Sequence, residues 1–178
     1  MKKGLAILGM GAFAIVLQGA VAGFLSPPWC PDLGFLIVIA LGPRFASSAG
    51  GISIAATLGY LSDLLSGSLL GQHLLLRMLA FGAARRAGRQ LDLRGLLPQA
   101  VFAGSLSGLN ALAFAVVTAF FAGSGFGWPA PRAFLTHVAV DAAFAPLIAA
   151  AVDRVLAWAG EDDSSRPLMR FEPRGKIA

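Results

Sequence analysis

The sequence predicts an all-α, polytopic integral membrane protein, six transmembrane helices packed as one bundle. Three observations predict it. Of 178 residues, 57% are hydrophobic and only 13% charged, about half the charged share of a soluble domain. The apolar residues fall in runs separated by proline, glycine and arginine clusters, and a span needs about 20 mostly apolar residues. The basic residues sit between these runs, so the net charge of +5 reports topology and not a nucleic-acid surface. Six spans leave no room for a separate globular domain. Residues 1–159 form the bundle, and 160–178 form a polar cytoplasmic tail expected to be disordered.

Lys2 and Lys3 precede an apolar stretch from Gly4 to Leu25. This resembles a signal peptide but is long enough to span, so it reads as a retained first helix with a cytoplasmic N-terminus. Gly19 and Gly23 give it a Gly-x-x-x-Gly packing surface. The prolines and Asp of Ser26-Pro27-Pro28-Trp29-Cys30-Pro31-Asp32 demand a tight turn. Cys30, the only cysteine, excludes an internal disulfide. Leu33 to Phe45 is a short second span, standing upright or where the bilayer is thin. It is closed by Gly42-Pro43 and followed by the cytoplasmic Arg44.

Residues 48–85 make a third and fourth helix, turning at Ser66-Gly67-Ser68 with an outward tip. Arg85 to Arg94 is too basic to cross and reads as a cytoplasmic loop. Pro98 opens a fifth span that runs to Phe121. Its Ser105, Ser107, Gly108 and Asn110 suit contact with another helix better than lipid. A loop from Ala122 to Arg132 leads to a last span from Ala133 to Trp158. With Arg132 outside and Arg77 in the membrane, 12 of the 14 Lys and Arg residues are cytoplasmic, placing both termini inside. Trp29 and Trp128 mark the outer interface and Trp158 the inner one.

Ionisable groups inside spans need a partner or a function. Arg77 and Asp141 lie at compatible depths and are expected to pair, unless Arg77 snorkels alone to the cytoplasmic face. His73 and Arg77, like His137 and Asp141, are four residues apart and share a helix face. The four are expected to form one intramembrane polar patch, serving as buried packing or as a proton or ion site. Asp63 is expected to accept amides of the Ser66-Gly67-Ser68 turn, or a partner's group. Cys30, His73 and His137 match no local metal motif. No nucleophile stands beside a base and no phosphate loop occurs, so neither catalytic nor cofactor residues are predicted.

Pro31-Asp32 opening a short apolar helix, Gly59-x-x-x-Asp63-Leu64-Leu65-Ser66-Gly67-x-x-x-Gly71 and the arginine-rich loop after it resemble the rod shape-determining protein MreD family over the whole chain. The single arginine at Gly42-Pro43-Arg44 departs from the stronger basic cluster frequent in that family. The resemblance implies a non-catalytic scaffold of the cell-elongation machinery in the bacterial inner membrane. It would bind the bitopic protein MreC, work with the polymerase RodA and its transpeptidase, and serve MreB filaments indirectly, supporting rod shape and lateral peptidoglycan synthesis. It also implies an architecture similar to the S-components of energy-coupling-factor transporters, so the alternative is a substrate-binding subunit for a small molecule such as a vitamin. On the scaffold reading, the exposed face of the second helix and the tip residues Asp63, Ser66, Gly67, Leu69, Leu70 and Gly71 receive the partner or maintain the fold. There the glycines expose backbone or permit the turn.

Overall fold

The computed structural model describes residues 2–24, 27–67, 69–91, 93, 95–122 and 130–164. Ser68, Asp92, Arg94, Trp128 and the tail 165–178, with Arg166, Arg170, Arg174 and Lys176, lie outside the described residues. Among the described residues there are six α-helices and no strand: α1 Lys2–Ala22, α2 Leu33–Arg44, α3 Ser48–Ser66, α4 Gln72–Gln90, α5 Leu96–Ala122 and α6 Pro131–Ser164. A single 3-10 turn at Pro27–Trp29 precedes α2. Two boundaries differ from the sequence expectation. The basic segment from Arg85 is not a loop, because α4 continues through Gln90 and carries Arg85, Arg86 and Arg89 on its last turns. The final helix continues to Ser164, into the expected tail.

Among the described residues, three helices are long and apolar enough to cross a membrane, Lys2–Ala22, Leu96–Phe121 and Pro131–Gly160. Only 22%, 17% and 22% of the residues in their apolar stretches are covered by the rest of the chain. So much bare apolar surface calls for an apolar surrounding. α2 is the reverse case. It has 12 residues, and nine in a row from Gly34 to Gly42 are buried, as a helix apolar on every side requires. It is the central post of the fold, packed by α4, α6, α1 and α3. One expectation falls here: with Gly34 to Gly42 buried, the second helix has no exposed face for a partner.

The bundle closes through glycines where helices approach. A Cβ on Gly42 would lie 2.6 Å from the Ala84 Cβ and 2.8 Å from the Arg85 amide, so α2 meets α4 backbone to backbone. Gly59 on α3 faces the His73 carbonyl, which would be 2.7 Å from a Cβ. The Gly19 and Gly23 surface of α1 is not used in this way, since neither touches another helix. Side-chain contacts place the helix ends. The Arg85 guanidinium donates to the carbonyls of Phe45 and Ala46, and Arg44 forms an ion pair with Asp153 at 2.6 Å. Lys3 approaches Gly160. Lys2, Lys3, Arg44, Arg85, Arg86, Arg89 and Arg154 therefore share one end of the bundle.

These close approaches give a direct test. Gly59→Ala should lower stability by about 1–3 kcal/mol, because backbone atoms facing it cannot yield. Gly82→Ala, with open space around it, should be neutral or stabilising by up to about 1 kcal/mol. Thermal unfolding of the purified variants checks both.

Candidate functional site

α2 begins among the other helices, and its first amides must find partners there. Asp32 caps the helix: its Oδ1 accepts from the Phe35 amide at 2.9 Å. The Asp32 amide donates to Asp141 Oδ1 of α6 at 3.0 Å, and the Leu33 amide to Gln18 Oε1 of α1 at 3.0 Å. Arg77 of α4 then reaches in. Its Nη2 donates to Asp32 Oδ1 and its Nη1 to the Leu58 carbonyl of α3, both at 3.0 Å. Its buried Nε has no hydrogen-bond partner among the described residues. A Cβ at Gly34 would collide with this guanidinium, so glycine there makes room for the arginine. α5 joins through Ser107, whose hydroxyl donates to Asp141 Oδ2 at 2.5 Å. His137 Nε2 stands 3.4 Å from the same oxygen.

All six helices thus converge on one polar node. The predicted Arg77–Asp141 pair is corrected: Arg77 pairs with Asp32, and Asp32 stands between it and Asp141. Its carboxylate meets the cation while its amide meets the second carboxylate. The predicted four-residue patch is divided as well. Arg77, Asp141 and His137 belong to this node, while His73 belongs to a second cluster at the α3–α4 turn.

There Asp63, fully buried, accepts the amides of Gly71, His73 and Leu74 at 2.9, 2.8 and 3.2 Å. It also contacts His73 Nδ1 at 2.9 Å. It satisfies the first turn of α4 from outside that helix, whose own cap residue Gly71 has no side chain to do so. These amides follow the Ser66-Gly67-Ser68 turn, whose Ser68 lies outside the described residues. Gly67 and Gly71 have φ of +65° and +91°, the left-handed region that glycine enters without strain. Leu64, Leu65, Leu69 and Leu70 around them are exposed. Gln72, also buried, ties α4 to the Phe114 carbonyl and Thr118 hydroxyl of α5 at 3.0 and 2.8 Å.

Sequence reasoning missed Asp32 and Gln18 as site residues. The signal for Asp32 was present: an aspartate after a proline, immediately before an apolar run, is a helix cap. Cys30 is buried with its Sγ near the Gln18 carbonyl, so its own chain covers it. Burial, and then the charges of Asp32 and Asp141, push its thiol pKa up. Among the described residues no group of three or more His, Cys, Asp and Glu is placed to hold a metal ion.

Arg77→Met should destabilise the protein by about 3–5 kcal/mol by leaving Asp32 without its cation. Asp32→Asn, which keeps the cap, should restore much of this loss, whereas Asp141→Asn should not; a double-mutant cycle on purified protein measures both. Since only the thiolate reacts, Cys30 should label with maleimide more slowly than a free cysteine at neutral pH and faster as pH rises. Denaturation should abolish the difference. Compared with protein-family models, curated proteins and solved structures, the chain matches none.

Proposed function

We propose that all six helices cross or stand within the bacterial inner membrane as one bundle, with both termini cytoplasmic. The chain is then a non-catalytic scaffold of the MreD type. It binds an MreC-like bitopic protein and supports the RodA polymerase and its transpeptidase, with MreB filaments served indirectly. The observation that carries this reading is where the polar groups go. In the interior, Gln18, Asp32, Arg77, Ser107, His137 and Asp141 bond to protein, while the outward surfaces are apolar helix faces and a leucine-rich tip. Such a protein has surfaces to offer to other chains.

Two further features support the membrane reading. The shared basic end fits the retention of Lys and Arg at the cytoplasmic face, with Arg132 at the start of α6 on the opposite side. The short α2 is tolerated because its ends are satisfied by protein. The transporter-subunit alternative needs convergent polar groups lining an outer pocket, yet Asp63, His73, His137 and Asp141 hold helix ends and one another. A groove of about 510 Å³, lined by Lys3, Arg44, Phe45 and Ile54, opens instead at the basic end.

Of the surface expected from the sequence, the tip leucines remain available for docking, because α2 is enclosed and the two glycines are set by backbone geometry. In a Cys30→Ser background, Arg132→Cys should label with a membrane-impermeant maleimide in intact cells and Lys3→Cys only after lysis; the reverse pattern contradicts the topology. The chain purified from membranes should retain an MreC-like bitopic protein, and Leu65→Ala with Leu70→Ala should reduce its yield. Recovery of a transporter T-component and two ATPases instead would establish the alternative.

A further inference from the structure

Asn110 lies near the midpoint of α5 and lines a groove of about 180 Å³ between α4 and α5. Among the described residues its carboxamide makes no hydrogen bond. Its neighbours in similar settings are satisfied. Ser53, Thr57 and Ser105 donate to the carbonyl four residues back, and Ser107 donates to Asp141. An unpaired amide at mid-span is costly in hydrocarbon, because neither water nor lipid tails supply a partner there.

The surrounding shape says what kind of partner fits. α5 packs closely on α6 and sparsely on α4. Gln72 pins α4 and α5 together at one end through Phe114 and Thr118. Beyond this pin the small side chains of Ala80, Ala83 and Ala113 line the trough, and the exposed Leu79 and Leu109 form its rims. Small residues flanked by leucines let a helix backbone approach closely.

We propose that the α4–α5 groove receives one membrane-spanning helix of a different polypeptide, whose hydrogen-bonding side chain at mid-membrane depth meets the Asn110 carboxamide. The inference rests on the six-span reading. A concave trough fits one convex helix, whereas two copies meeting groove to groove would enclose a void. A second copy offering the Ser53 and Thr57 face of α3 would make a head-to-tail contact, which propagates unless its rotation closes a ring.

The test is photo-crosslinking in native membranes with the full chain, placing p-benzoylphenylalanine at Leu79 in the groove or at Leu147, exposed on α6. Adducts are mapped by mass spectrometry. Leu79 adducts should fall in a transmembrane segment of another polypeptide, within one turn of a Ser, Thr, Asn, Gln or His. Asn110→Leu should lower their yield about fivefold, and Asn110→Gln should retain most of it. The isolated Asn110→Leu protein should unfold at no lower temperature than the parent, because the amide bonds nothing within the chain. Adducts to lipid alone, to a second copy or to a soluble segment overturn the proposal, as does an unchanged yield for Asn110→Leu or a lowered unfolding temperature. Lipid adducts at Leu147 with no protein adduct at Leu79 refute the groove alone. No lipid adduct at Leu147 refutes the six-span reading as well.

Discussion

The start of a helix carries amides without intrahelical acceptors, and α2 places that start within the bundle. The surrounding helices satisfy those amides. α1 sends Gln18 and α6 sends Asp141 to consecutive amides. Asp32 turns its carboxylate back on its own helix and thereby needs a cation, which α4 provides as Arg77. Arg77 draws in the α3 carbonyl of Leu58, and Asp141 draws in Ser107 of α5. Each bond creates the need for the next, and together they fix the relative heights of six helices that apolar packing alone would leave free to slide.

That constraint also separates interior from surface. Gln18, Asp32, Ser107 and Asp141 are engaged around the start of α2, and Asp63 where it caps α4. The surfaces left for other molecules are the apolar faces of α1, α5 and α6, the leucines at the α3–α4 tip and the α4–α5 trough. The scaffold role proposed above rests on this division. The proposed orientation rests on the basic residues gathered at one end of the bundle.

The helices were legible because apolar runs and their interruptions are local. Leu33 as the start of α2 and the turn after Ser66 follow directly from Pro31-Asp32 and Ser66-Gly67. The depth of α2 was not legible. A short apolar run reads the same whether it faces lipid or is enclosed by neighbours, and only long-range packing against α4 and α6 decides. The polar residues were found but wrongly joined. Arg77 and Asp141 were matched by depth along their helices, a one-dimensional argument that cannot place a third residue between them. Asp32 was counted with the loop, although its position before an apolar run marked it as a cap. The extension of α4 through Arg85, Arg86 and Arg89 was hidden because basic residues signal a cytoplasmic location without specifying loop or helix.

The capped start of α2 holds the other helices in register. Peptide-resolved hydrogen–deuterium exchange of the membrane-embedded protein, with and without Asp32→Ala, tests it most directly. Exchange should become faster in the first turns of α2 together with the segments around Leu58, Arg77 and Asp141, while the distant first turn of α1 changes little. An increase confined to residues 31–36, with the α3, α4 and α6 segments unchanged, would contradict it.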